Sequence, residues 1–98
     1  MALHIDFRNR IEKIRTEMDR RSLKALVATK QGGIHYILGE FAPWRTAVII
    51  PLDGSVVGLT VHIDVDRLRR HCWVDDFRRW EWALAKPSFP EMVANILT

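Results

Sequence analysis

A single cysteine, Cys72, stands in 98 residues, so no disulfide can close within the chain and a reducing, cytoplasmic setting is expected. No stretch approaches the roughly 18 consecutive apolar residues that a membrane-spanning helix needs, which argues against a membrane partner. The opening Met1-Ala2-Leu3-His4-Ile5-Asp6 lacks the basic region and apolar run of a secretory signal. Gly-rich phosphate loops, repeats and low-complexity tracts are missing too. Charge of one sign is in small excess: 15 Lys and Arg against 12 Asp and Glu leave a net +3. That excess permits attraction to acidic partners without demanding it. What is present is an ordinary globular balance, 48% hydrophobic and 28% charged, in a length that fits one domain over 1–98 with little core to spare.

Hydrophobic spacing orders the chain. Asp6 can cap a helix in which Phe7, Ile11, Ile14 and Met18 share one stripe, ending near Arg21 or Ser22. Arg8 with Glu12, and Lys13 with Glu17, are spaced to pair on its wet face. Leu23 to Thr29 is apolar without alternation, which predicts a strand buried on both faces inside a sheet. Gly32-Gly33 then breaks the chain, and Tyr36 to Gly39 predicts a single helical turn. Thr46–Leu52 and Ser55–Ile63 read as strands joined by a tight Asp53-Gly54 turn, with Pro51 at a strand end or edge. Asp64 or Asp66 caps a helix through Val65, Leu68 and Cys72, and Trp73–Trp80 predicts a fourth strand. Ser88 followed by Glu91 is a capping box for a last helix with Met92, Val93, Ile96 and Leu97 on its apolar face. That helix has no stop signal, which predicts a domain cut short inside a larger architecture. Hairpin strands mixed with helical crossovers imply an α/β fold with a mixed sheet and helices on its faces.

Several constellations carry possible chemistry. His62-x-Asp64-x-Asp66 alternates like a ligand set on a strand, but a metal site needs three or four converging ligands, and carboxylates at a helix start explain the aspartates better. His71-Cys72 are sequence neighbours on a helix and point apart, so Cys72 reads as a small core residue. The pairs Arg20-Arg21, Arg69-Arg70 and Arg78-Arg79 lie near tryptophans, yet acidic residues interrupt them and no nucleic-acid reader motif is present, so solvated faces are the simpler reading. Trp73, Trp80 and Trp82 crowd one short segment with Phe77: either Trp80 and Trp82 share a strand face that Trp73 and the final helix cover, or they form an apolar patch for a subunit interface.

Taken in order, Phe7-x-x-Arg10, Ile14-Arg15-x-x-Met18, Leu23-Lys24-Ala25-Leu26-Val27-Ala28-Thr29, Ile34-His35-Tyr36-Ile37-Leu38-Gly39, a hairpin and an Asp-led helix resemble the N-terminal domain of the creatinase and Xaa-Pro peptidase family, the "pita-bread" metallohydrolases that include prolidase and aminopeptidase P. The resemblance implies a mixed sheet with flanking helices and a ribonuclease H-like topology. It implies that catalysis, and two divalent metal ions such as Mn, Co or Zn, belong to a larger C-terminal domain absent from this chain. No catalytic or metal residue is therefore expected here, and the chain alone should be inactive. It further implies that the domain helps build a homodimer and leans residues over the active-site rim. Phe41, Trp44 and Arg45, in the loop after Gly39, hold the comparable place, where arginine can grip a carboxylate and an indole can form an apolar wall. The alternatives are a stand-alone interaction module of the same fold without enzyme activity and, less well supported, a basic nucleic-acid binder.

Overall fold

The computed structural model describes residues 6–40, 42, 45–80 and 88–97. Its elements run α1 (Phe7–Arg20), β1 (Ala25–Ala28), α2 (Gln31–Leu38), β2 (Ala47–Pro51), β3 (Val57–Val61), a 3-10 turn (His62–Asp64), α3 (Val65–His71), β4 (Asp76–Trp80) and α4 (Phe89–Leu97). The strands form one mixed sheet in the order β1-β2-β3-β4. β1 and β2 pair antiparallel, as do β2 and β3, whereas β4 lies parallel to β3 with α3 in the crossover.

Alternation along the strands divides the core into two layers. Val48 and Ile50 of β2 face α1, α2 and α3, packing with Ile11, Met18, Ile34, Ile37, Leu38, Val65, Leu68 and Phe77. Their neighbours Ala47 and Ile49, with Val57 and Leu59 of β3, face Phe89 and the partly buried Met92, Val93 and Ile96 of α4. Gly58 of β3 stands directly beside Phe77 of β4, and the Phe77 ring occupies the space where a Cβ would project.

Each helix has a local cause. Asp6 Oδ1 accepts from the Asn9 amide at 3.0 Å and caps α1, as its sequence predicts. At the far end Ser22 takes φ 59°, and the Leu23 amide donates to Met18 O at 2.8 Å, closing the helix with a left-handed turn. Arg15 then ties α1 to the hairpin, donating from Nε to Pro51 O at 3.0 Å and from its terminal amine to Gly54 O. Ser88 Oγ accepts from the Glu91 amide at 3.3 Å, and its hydroxyl donates to the Glu91 carboxylate at 3.2 Å, so the capping pair at α4 forms.

Four local expectations change. β1 is an edge strand, half-buried along its whole length, rather than an interior one. Uniformly apolar residues reveal burial on both faces but not the absence of a second neighbour. α2 begins at Gln31 and takes both glycines into a full helix, which ends at Gly39 with φ 75°. The β2–β3 connection spans five residues, Leu52–Val56, rather than a tight two-residue turn. Glu17 pairs with Arg20 and Arg21, not Lys13, because the planar guanidinium forks match a carboxylate.

Candidate functional site

The described residues from Gly39 to Thr46 are met by five different elements. Gly39 closes α2 in a left-handed conformation, with the Phe7 ring packed where its Cβ would lie. Glu40, next along, reaches Arg67 of α3, whose Nη1 lies 3.4 Å from Glu40 Oε1. Ala42 is fully buried, and its carbonyl accepts from the Gln31 side-chain amide. Arg45 is exposed, and its guanidinium carbon sits 4.6 Å from the centre of the Phe89 ring of α4. Thr46 is buried, and its hydroxyl shares a 2.9 Å hydrogen bond with that of Thr60 in β3.

Arg67 anchors this network. It donates to both carboxylate oxygens of Asp64, from Nε at 2.6 Å and from Nη2 at 2.9 Å. Asp64 is only 5% exposed, so this two-point grip compensates a buried charge. The Asp64 bond, with further help from the Glu40 charge, raises the Arg67 pKa above its ordinary value. His62, Asp64 and Asp66 lie on a 3-10 turn and the start of α3, not along a strand. Asp64 makes no side-chain cap bond to α3; it serves Arg67 instead. Among the described residues, no three His, Cys, Asp or Glu side chains converge as metal ligands, so the two ions implied by the resemblance do not fit these residues.

The tryptophans part company. Trp73 stacks on Phe7, with ring centres 5.9 Å apart, and donates from Nε1 to Ile37 O at 2.8 Å, so it lies on the α1–α2 side while remaining 38% exposed. Trp80 lies across the sheet, edge-on to Phe89 at 5.4 Å. The expectation that Trp73 and the last helix cover one common face is therefore corrected: α4 meets Trp80 alone of these two. Arg10 adds to the Trp73 side, with its guanidinium 4.2 Å from the exposed Tyr36 ring and a 2.6 Å bond to Tyr36 O. Phe41, Trp44 and Trp82 lie outside the described residues.

Cys72 is half-buried against the helical core, and burial, followed by the Glu40 charge, pushes its thiol up to about 11. A thiol held protonated is a poor nucleophile, as expected of a packing residue. Five of the six arginines in the basic pairs are engaged locally: Arg20 and Arg21 with Glu17, Arg69 with Phe77 O, Arg70 with Asp66 O, and Arg78 with Asp76. None of the described helices is long and apolar enough to cross a membrane. A cleft of about 540 Å³ opens between α1 and the turn before β4, lined by Arg8, Glu12, Arg15, Trp73 and Asp75 among others.

Sequence reasoning missed Arg67, Gln31 and Phe89 as supports of this segment. Asp64 and Arg67, three residues apart at a helix start, carry a usable spacing signal; the contacts to Ala42 and Arg45 are long-range and carry none.

Comparison with known proteins supplies the context. No curated protein sequence matches the chain. Among solved structures, the N-terminal domain of an X-Pro dipeptidase from Streptococcus pyogenes superposes with a TM-score of 0.75 at 13% identity, over 92% of this chain and 67% of that one. Aminopeptidase P from Streptococcus thermophilus gives 0.71 at 18% identity, over 93% and 66%. The Xaa-Pro dipeptidase from Bacillus anthracis gives 0.78 at 14% identity, over 94% of this chain but only 24% of that one. The chain thus spans about two-thirds of the shorter relatives and about a quarter of a longer dipeptidase. The model of the Creatinase/Prolidase N-terminal domain matches residues 10–98, and the chain belongs to that family.

Proposed function

We propose that this chain is the non-catalytic N-terminal domain of a metal-dependent C–N hydrolase of the Xaa-Pro peptidase or creatinase type, contributing to a cytoplasmic homodimer and to the rim of the active site. The observation that carries this reading is the family match over 10–98, together with a fold that covers about a quarter of the Bacillus anthracis dipeptidase. The two divalent ions and the attacking water belong, in this reading, to the catalytic domain. Arg45 is the rim residue: exposed, and steadied over Phe89, it can offer a two-point grip to a substrate carboxylate. Phe41 and Trp44, outside the described residues, are the further rim candidates, as aromatic side chains able to form an apolar wall. Trp73, 38% exposed on the α1–α2 side, is the leading interface residue, whereas Trp80 faces α4 across the sheet and Trp82 lies outside the described residues.

The test is hydrolysis of an Xaa-Pro dipeptide with manganese, by the parent polypeptide and by the 98-residue chain alone. The parent is expected to turn over and the short chain to be silent. Turnover by the short chain would overturn the reading. In the parent, Arg45→Ala should raise KM about tenfold, the scale of one charge-assisted bond, while leaving Tm unchanged. An unchanged KM removes Arg45 from the rim, and a monomer at micromolar concentration in sedimentation removes the dimer.

A second reading, an interaction module without enzyme activity, is favoured by the exposed Tyr36, Ile63 and Trp73. It requires a gene that encodes no metal-binding domain, which the length of the reading frame decides.

A further inference from the structure

We propose that Arg67 is a positioning residue for Arg45: by bridging buried Asp64 and half-buried Glu40, it ties the point where the chain leaves α2 to helix α3. Its value to a substrate rests on the rim reading above; its mechanical role does not.

The geometry separates this bridge from an ordinary surface pair. Exposed ion pairs contribute little, because solvent screens them and both side chains must be immobilised. Here one partner, Asp64, is withdrawn from water, and its two oxygens meet two guanidinium nitrogens in a planar fork. The fork holds the guanidinium in place and leaves Nη1 directed at Glu40. Glu40 is the first residue beyond the left-handed turn at Gly39, where the backbone leaves α2. Fixing it there sets the direction in which the chain departs. The remaining supports come from other elements: Gln31 on the Ala42 carbonyl, Phe89 beneath Arg45, and Thr60 on Thr46. Glu40, Ala42, Arg45 and Thr46 are thus tied in turn to α3, α2, α4 and β3, and are held in place before any ligand arrives. Preorganisation of this kind reduces the ordering cost of binding.

The experiment uses two variants of the chain, Arg67→Lys and Glu40→Gln, with backbone nitrogen relaxation measured by NMR. Lysine keeps the charge but loses the fork. Glutamine removes only the Glu40 charge and leaves the Asp64–Arg67 pair intact, so it should fold even if the lysine variant does not. Order parameters at Glu40 and Arg45 are expected to fall from the rigid level of about 0.85 towards about 0.6 in either variant, while Val48 and Leu59 in the sheet keep theirs. Unchanged order parameters at Glu40 and Arg45 overturn the proposal, as does an equal fall in the sheet, which would mark Arg67 as a general stabiliser. In the parent enzyme, Glu40→Gln should raise KM severalfold at constant kcat. If Arg45→Ala raises KM and Glu40→Gln does not, the positioning role fails and the rim reading stands. If neither changes KM while the order parameters fall, the rim reading fails and the anchoring role stands.

Discussion

At the scale of single residues, several atoms occupy space or hold protons in ways that one substitution exposes. Gly58 leaves room for the Phe77 ring on the neighbouring strand, and any side chain there must displace a buried aromatic. Gly58→Ala should therefore cost about 1–3 kcal/mol through overpacking, read as a lower urea midpoint at unchanged slope. Cys72 makes a prediction in pH. Its thiol titrates at 9.0 unperturbed and at about 11 in the folded chain, so the folded state favours the protonated form. That contribution is fully present below about pH 9 and is lost as pH rises towards 11. Tm should fall across this window, and Cys72→Ala should remove part of the fall, since alanine has nothing to ionise. Alkylation of the thiol should likewise stay slow at pH 8 and accelerate only in strong alkali.

At the scale of elements, α4 depends on its packing. It has nine residues, too few to hold a helix in water, and Phe89 is its one fully buried side chain, set against Trp80 and beneath Arg45. Phe89→Ala should cost about 3 kcal/mol and reduce the far-UV helical signal, while the α1–α3 layer across the sheet keeps its structure. The starts of α1 and α4 were legible from sequence, because a capping aspartate and a serine–glutamate pair act within one helical turn. The start of α2 was not. Two glycines oppose helix formation, yet Ile34, Ile37 and Leu38 at helical spacing are buried in the core, and that burial outweighs the local penalty. The edge position of β1 escaped for a related reason: composition reports how much of a strand is covered, whereas pairing depends on partners distant in sequence.

At the scale of the whole molecule, the mixed sheet between helical layers was legible because each element's period was clear and hairpins and crossovers leave different connection lengths. The candidate site was legible only in part. Arg45 stands out through composition and resemblance, but the Phe89 ring beneath it comes from α4, while Glu40, Ala42 and Thr46 are held from α3, α2 and β3, and no local pattern announces such a meeting. The same scale governs the proposed dimer. If Trp73 lies at the interface, Trp73→Phe should weaken self-association in sedimentation while costing the fold only about 1 kcal/mol, because the stack on Phe7 survives and one hydrogen bond to Ile37 O is lost.

Spatial order in the sheet repeats chain order, β1-β2-β3-β4, and this shapes how the molecule assembles. Only the five residues Leu52–Val56 separate β2 from β3, so that hairpin closes at the smallest entropic cost. The outer strands must each wait for a helix, α2 or α3, to bring them alongside. Refolding should be rapid, on the millisecond scale, and pulse labelling should find the central pair protected before either flank, so that the nucleus is the hairpin and the rims are its latecomers.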